Sequence, residues 1–332
     1  MAKISYLIAR LAKLNYLNMF KIAKAVSVKA NKSYIYILTD MMRCGLKYQA
    51  GYYDYQEFEF YNITKDKRST YLTRGKNNEI IKKYNDKNYF HIFNDKIEFN
   101  NVFSDYLNRD WIDMKSVSLE EFKSFVTNNP IIIAKPIDGE GGVGIEKYTV
   151  SSSDNISDIY NSIKLKKQYL VEAFVKQHKN MNVLYADSVN TMRMFTFCKD
   201  GKGYFLQAVL KIGNGGVVDN FSSGGMYTFV DENGVVTVPA IDKDDKIYKI
   251  HPITKTDIIG FNVPMFKEAV ELVKKASTVV PQVAYVGWDV AISENGPVII
   301  EGNCYPGVFQ KRASFNSDGT GLIPVYSKYM NI

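Results

Sequence analysis

The chain has 332 residues, of which 46% are hydrophobic and 23% are charged, and its formal net charge is +7 at pH 7. This length and composition are typical of a globular protein with two or three packed units, and they exclude a fibrous or disordered chain. No apolar run reaches about 18 residues, and the start of the chain lacks a compact apolar segment followed by a cleavage site. The sequence therefore predicts neither a membrane span nor a signal peptide.

The three cysteines, Cys44, Cys198 and Cys304, are widely spaced and fall in no metal-binding pattern. Such spacing favours a reducing compartment, so we expect a cytoplasmic protein. Cys304 lies next to the predicted metal strand, and we expect it to be a small buried hydrophobe and not a nucleophile. The positive net charge also permits nucleic-acid binding. Because the sequence has no recognition motif and no dense patch of arginine and aromatic residues, we expect no nucleic-acid partner.

Residues 1–30 are predicted to form a basic amphipathic helix. Apolar residues recur at helical spacing, and lysine and arginine occur without a single acidic residue. Two interpretations remain open. The helix would dock on an anionic membrane, which would place the protein peripherally at the inner face of the cell membrane. Alternatively, it packs on its own domain and exposes a solvated lysine face.

The rest of the chain is predicted to form an α/β (α+β) protein in three parts. Residues 31–115 are expected to alternate short helices and strands in an amino-terminal α/β unit, with the aromatic residues of 48–61 in its core. Residues 116–175 would form a first subdomain, which opens with the capping box Ser118-x-x-Glu121. Residues 176–332 would form a second subdomain, with hairpins at Asp200-Gly201 and at 231–234. Pro264 is expected to start a helix that runs to about Val280.

A glycine-rich loop joins two predicted strands, residues 131–134 and 145–150. It contains Lys135 and glycines that allow the backbone to approach a ligand closely. A Walker loop would open a helix with Gly-Lys-Ser/Thr, and a dinucleotide fingerprint would place its third glycine at a helix start; neither condition is met. The loop therefore resembles a flap over a triphosphate, although an ordinary glycine-rich hairpin turn is the alternative.

Asp289 and the segment Glu301-Gly302-Asn303 lie on two predicted strands, 285–293 and 297–301, which are separated by Glu294-Asn295-Gly296. A three-residue loop would place Asp289 directly opposite Glu301, and a two-residue loop would shift the pairing by one position. Glu301 and Asn303 share a face because side chains alternate along a strand. Their oxygens are the ligands that Mg²⁺ accepts, and unpaired carboxylates in apolar sequence are costly. A metal site is favoured over a solvated sheet face.

These residues resemble the ATP-grasp ligases, the superfamily of D-alanine:D-alanine ligase, over about residues 94–310. More narrowly, the sequence is similar to the sugar-transfer-associated ATP-grasp proteins of bacterial surface-polysaccharide gene clusters. The motifs that carry this resemblance are Asp54-Tyr55-x-x-Phe58-x-Phe60-Tyr61, Asn94-Asp95-Lys96, Asn190-Thr191-Met192-Arg193, His251-Pro252-x-Thr254 and Gly287-Trp288-Asp289-Val290-Ala291. The chain departs from the pattern at Lys255, where glycine would be expected after the histidine motif.

The resemblance implies an ATP-grasp fold in which two subdomains with antiparallel sheets and helices clasp ATP, and it implies roles for individual residues. The residues implied in nucleotide binding are Lys96, Lys135, Gly139, Glu140, Gly141, Gly142, Val143, Gly144, Glu172, Ala173, Phe174, Val175 and His178. Of these, Lys96 and Lys135 would hold phosphates, Glu172 and the main chain of 173–175 would meet adenine, and His178 (or Gln177) would lie near the ribose.

The resemblance also implies Arg193, Lys211 and Asn303 as catalytic residues, and Asp289, Glu301 and Asn303 as ligands for one or two Mg²⁺ ions. The residues implied in substrate binding are Asp219, Asn220, Gly224, Gly225, Tyr305 and Gln310. Arg193 would stabilise the transferred phosphoryl group, since its planar guanidinium offers five donors. The glycine-rich loop that follows Lys211 would lie over the acceptor.

The function implied is an ATP- and Mg²⁺-dependent carboxylate–amine ligase that forms an amide through an acyl phosphate. Its partners would be a small carboxylate and an amine, such as an amino acid, an amino sugar or a uronic acid, and its product would be a decorated capsular or other surface glycan, with a lipid-linked acceptor as one form. Two alternatives remain open. The same site would serve a phosphotransferase acting on a sugar or lipid, or a nucleotide-binding scaffold of a polysaccharide assembly machine.

Overall fold

The computed structural model describes residues 15–137, 143–216, 219, 221 and 224–332. Residue contacts divide the chain into two compact units. The first contains the described residues up to 83 together with 307–332, and the second contains the described residues between 84 and 306. Among the helices of these ranges, none combines the length and the hydropathy that a membrane span requires.

The helices of the described chain, in order, are α1 (Tyr16–Ala30), α2 (Tyr34–Tyr48), α3 (Tyr52–Glu57), α4 (Arg74–Tyr84), α5 (Phe90–Asn94), α6 (Lys96–Val102), α7 (Ser104–Leu107), α8 (Leu119–Asn128), α9 (Ile156–Leu165), α10 (Lys179–Leu184), α11 (Phe266–Ala276) and α12 (Ile323–Tyr326). The strands are β1 (Trp111–Asp113), β2 (Ile131–Lys135), β3 (Glu146–Thr149), β4 (Leu170–Ala173), β5 (Thr191–Lys199), β6 (Lys202–Ile212), β7 (Met226–Phe229), β8 (Ala240–Asp242), β9 (Ile247–Tyr248), β10 (Tyr285–Ser293) and β11 (Gly296–Asn303).

Residues 31–110, all of which the structure describes, contain helices and turns instead of the predicted alternation of helices and strands. β1 is the one strand in the segment 31–115, and it belongs to a sheet of the second unit. The physical reason is the packing of the aromatic residues. Tyr48 ends α2 and Tyr55 lies on α3, and both are buried in the core of the first unit. Packing of these aromatic side chains between helices overrides their preference for strands.

The core of the first unit surrounds a buried ion pair. Arg68 donates to both carboxylate oxygens of Asp40, at 2.7 and 2.8 Å, and Tyr55 donates to the same carboxylate at 2.8 Å. Burial alone would raise the pKa of Asp40, but the hydrogen bonds from Arg68 and Tyr55 outweigh it, and the pKa is lowered. Asp40 is thus charged and fully neutralised inside the unit.

The smaller sheet of the second unit has four antiparallel strands in the order β1-β4-β2-β3. Helix α8 packs beside it and begins with the predicted capping box, in which Ser118 and Glu121 cap each other's main-chain N–H groups. The apolar faces of α8, β2 and α9 form one cluster that includes Phe122, Ile132 and Ile163. This packing holds β2, which leads into the glycine-rich loop, against β4.

The larger sheet has seven antiparallel strands in the order β11-β10-β5-β6-β7-β8-β9. The predicted hairpin at Asp200-Gly201 is confirmed, because Lys199 pairs with Lys202 and both turn residues have positive φ. Helix α11 packs on this sheet but begins at Phe266, two residues after Pro264, and ends at Ala276. The predicted helix was therefore too long at both ends. At its start, Met265 is the N-cap and adopts a left-handed conformation, so the helix cannot begin before Phe266.

All three cysteines are buried and none forms a disulfide. Burial raises the pKa of Cys44 to about 12 and that of Cys304 to about 11. Because the thiolate is the reactive form, burial disfavours reaction of both thiols at neutral pH, and the prediction that Cys304 is a small buried residue is confirmed.

Candidate functional site

The hairpin of β10 and β11 places Asp289 directly opposite Glu301. Ser293 pairs with Gly296, so the turn has only two residues, Glu294 and Asn295. This turn alone would shift the pairing by one position, but a β-bulge lies between Asp289 and Val290 in the register. One extra residue of β11, Ile300, is accommodated there and restores the pairing that a three-residue turn would have given. The predicted register is confirmed, although by a different route.

Two cations contact the carboxylate of Asp289. The Nε of Arg193 lies 3.0 Å from Oδ1, and the Nζ of Lys211 lies 3.1 Å from Oδ2. Arg193 is the residue of β5 directly paired with Asp289, and Lys211 lies near the end of the next strand, β6. Gly287 leaves room for this arrangement, because a Cβ there would lie 3.3 Å from the guanidinium of Arg193. Sheet pairing therefore brings the predicted acid and both predicted cations together.

The pKa values of Asp289 and Glu301 are shifted in opposite directions. Burial would raise the pKa of Asp289, but the charges of Arg193 and Lys211 hold it below its ordinary value. Burial and the neighbouring Asp289 raise the pKa of Glu301, and a side-chain hydrogen bond joins the two carboxyl groups. Asn303 completes the cluster, with its Nδ2 3.4 Å from both Oε1 of Glu301 and the main-chain oxygen of Gly287. Asp289 therefore carries the negative charge of the pair more readily than Glu301.

This cluster fits a hard divalent cation. Oδ1 of Asp289 is buried and, although Arg193 is close, has no aligned hydrogen bond. Two buried carboxylates in direct contact repel each other unless a proton or a cation lies between them. The donors are two carboxylates and an amide, which is the oxygen chemistry of Mg²⁺. Within the described residues no group of three His, Cys, Asp or Glu side chains comes together, so this mixed set is the candidate metal site.

A second charge cluster surrounds Glu172 on β4. Its carboxylate forms ion pairs with Arg109 and with Lys135, and it accepts a hydrogen bond from Nδ2 of Asn100 at 3.1 Å. Burial would raise the pKa of Glu172, but the two cations outweigh it and lower the pKa to about 2. Neither Arg109 nor Asn100 was predicted from the sequence. The available signal was Glu172 itself, since a carboxylate inside an apolar strand requires a cationic partner.

Arg109 connects this cluster to the hairpin that carries the metal-ligand candidates. Its guanidinium donates to the main-chain oxygen of Ile299 and, at 3.2 Å, to that of Ile300, the extra residue at the bulge. The neighbouring Asn108 donates to the main-chain oxygen of Pro297 at 2.8 Å. The side chain of Arg109 is only 4% exposed, so these contacts are made in a low-dielectric environment. One buried arginine thus holds both Glu172 and the bulge.

The loop after β6 is anchored by buried side chains. Gly213 donates its N–H to Oδ1 of Asn190 at 3.0 Å, and Nε2 of His251 contacts its carbonyl oxygen at 2.8 Å. Since a carbonyl only accepts, Nε2 carries the proton, and Nδ1 of His251 accepts from the main-chain N–H groups of Ile253 and Thr254. The motif around His251 therefore fixes the start of the loop next to Lys211.

Asp219 also serves this anchoring, because its Oδ2 accepts from both the N–H and the hydroxyl of Thr191, at 2.8 and 2.5 Å. The predicted substrate residue Asn220 lies outside the described residues. Gly224 has a φ of 100°, and its carbonyl accepts from Asn214. Gly225 follows it directly before β7. The contacts of Asp219 stabilise the loop, and a role of this loop in substrate binding stays a prediction.

The predicted phosphate-binding loop is described only at its ends. Gly139, Glu140, Gly141 and Gly142 lie outside the described residues, whereas Val143 is exposed and Gly144 has a φ of 76°. Lys96, the first residue of α6, donates to the main-chain oxygen of Ile137 at 3.1 Å. Lys96 is therefore adjacent to the start of the loop, and Lys135 ends the strand that leads into it.

The segment after Glu172 lines a cleft of about 660 Å³. Its described lining includes Ala173, Phe174 and Val175, and it also includes the turn residues 293–295 at the far end of the metal hairpin. Asp289 and Glu301 are not among these lining residues, so the cleft is separate from the carboxylate pair. Lys147 lies over the ring of Phe174, 4.3 Å from its centroid.

Three other predicted residues have partners other than the two carboxylates. His178 caps α10 by accepting from the N–H of Asn180, and its Nε2 lies 3.9 Å from Glu294 at the turn of the metal hairpin. Tyr305 is exposed and packs edge-on against Phe90. Gln310 belongs to the first unit, where it is buried and its amide oxygen accepts from Leu72 and Leu322. These contacts give Gln310 a structural role and offer no support for substrate selection.

The two antiparallel sheets agree with the ATP-grasp fold that the sequence predicts. A family model of sugar-transfer associated ATP-grasp proteins matches residues 75–311, well over half of the chain, so the chain belongs to this family. The comparison with curated proteins returned no match.

Solved structures with a similar fold include D-alanyl-alanine synthetase A from Vibrio cholerae O1 biovar eltor str. N16961, at 14% identity and a TM-score of 0.38, which covers 73% of this chain and 61% of that one. D-alanine–D-alanine ligase from Bacillus anthracis shows 13% identity and a TM-score of 0.38, and covers 71% and 62%. N5-carboxyaminoimidazole synthetase from Staphylococcus aureus shows 9% identity and a TM-score of 0.39, and covers 66% and 45%. The chain thus spans roughly half to three fifths of these neighbours' length.

Proposed function

We propose that the protein is an ATP- and Mg²⁺-dependent carboxylate–amine ligase that forms an amide through an acyl phosphate. The observation that carries this proposal is the buried contact between Asp289 and Glu301 with Arg193 and Lys211 beside it. Membership of the ATP-grasp family supports the use of ATP. A buried cluster that contains both positive and negative side chains, with oxygen ligands among them, suits phosphoryl transfer. In that reaction the protein contributes mainly positioning and electrostatics.

Asp289, Glu301 and Asn303 would hold the metal, and Mg²⁺ bound there would neutralise charge on the nucleotide phosphates. Lys135 would contact a phosphate while Glu172 fixes the position of its ammonium group. Lys96 would act from the other side, at the start of the glycine-rich loop. The main chain of residues 173–175 would meet the adenine.

In the first step an oxygen of the substrate carboxylate would attack the γ-phosphorus and ADP would leave. Arg193 would stabilise the negative charge that spreads over the transferred group. In the second step an amine would attack the acyl carbon, lose a proton and release inorganic phosphate. Lys211 lies beside Asp289 at the start of the anchored loop, so we assign it to binding of the substrate carboxylate.

The substrates we propose are an amino acid or uronic acid as the carboxylate and an amino sugar or amino acid as the amine. The family description links these proteins to sugar transfer, which supports a role in decorating a surface or capsular polysaccharide. The two cations Arg193 and Lys211, side by side at Asp289, suit an anionic acid as the first substrate.

Interception by hydroxylamine tests this function. With ATP, Mg²⁺ and each member of a panel of amino and uronic acids, but no amine, hydroxylamine should trap the acyl phosphate as a hydroxamate. Arg193→Ala should lower the hydroxamate yield by about 10²–10³-fold with a much smaller effect on ATP affinity, because the arginine acts mainly in the transition state. Arg43→Ala, which changes an exposed arginine on α2, is the matched control and should behave as wild type.

Two outcomes would contradict the proposal. A stable phosphorylated sugar or lipid, formed without an amine and without any hydroxamate, would identify a phosphotransferase. Nucleotide binding without turnover on any acid and amine pair would identify a scaffold. The charged set at Asp289 supports an enzyme over a scaffold, since nucleotide binding alone does not require two buried carboxylates in contact.

A further inference from the structure

Helices α1 and α2 both contribute their inner faces to the core of the first unit. Met19, Ile22, Ala23 and Val26 of α1 and Ile37, Met41, Cys44 and Tyr48 of α2 are buried there. Each set recurs at intervals of three and four, which defines one side of a helix. The opposite sides of both helices therefore point away from this core.

The outer face of α1 combines apolar and basic residues. Leu17, Lys21, Lys24 and Val28 are spaced at i, i+4, i+7 and i+11, so they form one stripe along the helix. Leu17 is 83% exposed and Val28 is 78% exposed, and both lysines are exposed. A helix packed on its own domain would normally place mostly polar and charged residues on this side.

The outer face of α2 continues the same chemistry. Ile35, Met42 and Leu46 lie at i, i+7 and i+11 and are exposed, with Ile35 at 71%. A neighbouring row on the same helix contains Tyr36, Arg43 and Lys47, which are also exposed. The two helices are joined by the short turn at residues 31–33 and pack against each other. We call the stripe residues of α1 and α2 with this row the outer helical face.

The charge on the outer helical face has a single sign. Residues 16–48 contain Lys21, Lys24, Lys29, Lys32, Arg43 and Lys47 as their basic residues, and Asp40 as their one acid. Asp40 is buried and neutralised by Arg68, so it does not offset the basic side chains. The surface that remains is apolar and purely cationic.

We propose that the outer helical face docks on an anionic lipid surface. Buried apolar side chains and the attraction of lysine and arginine to anionic headgroups act together in interfacial binding, and tyrosine suits the boundary between apolar and polar layers. Interspersed basic and apolar residues on one face match a lipid surface, in which acyl chains lie directly beneath charged headgroups. This inference does not depend on the ligase reaction.

The sequence left two interpretations of the amino-terminal segment open, a helix docked on a membrane and a helix packed on its own domain. For residues 16–30 the structure confirms that the inner side of the helix packs on its own domain. Docking by the exposed outer side is the part that we propose, and α2 supplies the larger apolar share of the face. Docking by residues 1–14 lies outside the described residues.

Vesicle co-sedimentation of the full chain tests the proposal. Binding is measured with phosphatidylcholine vesicles and with vesicles containing about one-third phosphatidylglycerol, at low and high NaCl. Wild type should bind the anionic vesicles, and high salt should weaken this binding. Lys21→Glu/Lys24→Glu/Arg43→Glu should lower the binding constant on the order of a hundredfold, because each basic residue near the surface contributes about fivefold. Ile35→Ser/Met42→Ser/Leu46→Ser should lower it at both salt concentrations.

The matched control is Leu165→Ser/Val183→Ser/Ile247→Ser, which removes three similarly exposed apolar side chains of the second unit and should leave vesicle binding unchanged. Circular dichroism and ATP affinity report folding of every variant. Equal binding of wild type and both helical variants to anionic vesicles would overturn the proposal. It would also be overturned if the apolar variant instead abolished self-association in sedimentation velocity, since the occupant would then be a second copy of the chain.

Discussion

Arg109 and Glu172 form a buried ion pair in the second unit, and the same guanidinium donates to the main chain at the bulge of β11. The pair is 63 residues apart in sequence and links the strand beside Lys135 to the strand that carries Glu301. Arg109 therefore acts as a positioning residue for both charge clusters of the candidate site. Its effects on stability and on nucleotide affinity should be inseparable.

Arg109→Ala should destabilise the protein by about 3–5 kcal/mol, because it leaves the carboxylate of Glu172 buried with only Lys135 as its cationic partner. Urea unfolding measures this change. Lys166→Ala removes the ion pair between Lys166 and Glu146, in which both side chains are exposed to solvent. This variant should change the unfolding free energy very little. Equal destabilisation by the two variants would show that Arg109 does not hold the site.

The stability of the protein should fall in acid through Glu172. Its pKa in the folded protein, about 2, lies below the ordinary value of 4.5, so its contribution is present above pH 4.5 and is lost as the pH falls toward 2. This contribution corresponds to about 3 kcal/mol. Glu172→Gln should therefore flatten the dependence of unfolding free energy on pH below about 5. An unchanged slope in this variant would contradict the charged state assigned to Glu172.

Glu301→Gln should separate stability from activity. Because burial and Asp289 raise the pKa of Glu301, its ionisation opposes folding as the pH rises above its ordinary value, and removal of the charge should stabilise the metal-free protein at neutral pH by about 0.5–2 kcal/mol. ATP turnover should nevertheless fall by orders of magnitude. Thermal unfolding and an ATPase assay give the two readouts, with Glu232→Gln, an exposed acid in a hairpin, as the control. Wild-type turnover in Glu301→Gln would exclude the metal assignment.

Gly213→Ala should disrupt the anchored loop after β6. A Cβ at this position would lie 2.1 Å from Oγ of Ser188 and 2.5 Å from the ring of Tyr185, so these side chains or the backbone must shift. We expect a loss of about 1–3 kcal/mol in unfolding free energy and a weaker affinity for the acid substrate. Gly45→Ala in α2 meets only an ordinary contact at 3.5 Å and should be neutral or slightly stabilising. A larger loss from Gly45→Ala than from Gly213→Ala would refute the steric argument.

Local features of the site could be predicted from the sequence, because they lie within one hairpin. Asp289 and Glu301 are separated by a single turn, and alternation along the strands fixes which side chains face each other. The bulge at Ile300 could not be predicted, since its contacts with Arg109 depend on a segment nearly two hundred residues away. The contact of Gly213 with His251 spans 38 residues and also could not be predicted from local pattern, although the histidine motif is visible in the sequence.

The helical structure of residues 31–107 was mispredicted for a different reason. Tyr and Phe favour strands on propensity alone, and a short aromatic run satisfies both a helical and a strand pattern. Packing decided between them, because Tyr55, Phe58 and Phe60 are fully buried around the ion pair of Asp40 and Arg68. Arg68 is 28 residues from Asp40, so a local sequence pattern cannot predict that the two residues pair.

Transfer of a labelled oxygen tests the ligase reaction most directly. If the acid attacks ATP and the amine then displaces phosphate, one carboxylate oxygen must leave with that phosphate. With an acid labelled with ¹⁸O in its carboxylate, the amine, ATP and Mg²⁺, mass spectrometry should find one labelled oxygen in the inorganic phosphate for each amide formed. Arg193→Ala should slow the appearance of labelled phosphate and of amide to the same extent. Phosphate that carries no label, or a labelled product that retains the phosphoryl group and contains no amide, would contradict the acyl-phosphate mechanism.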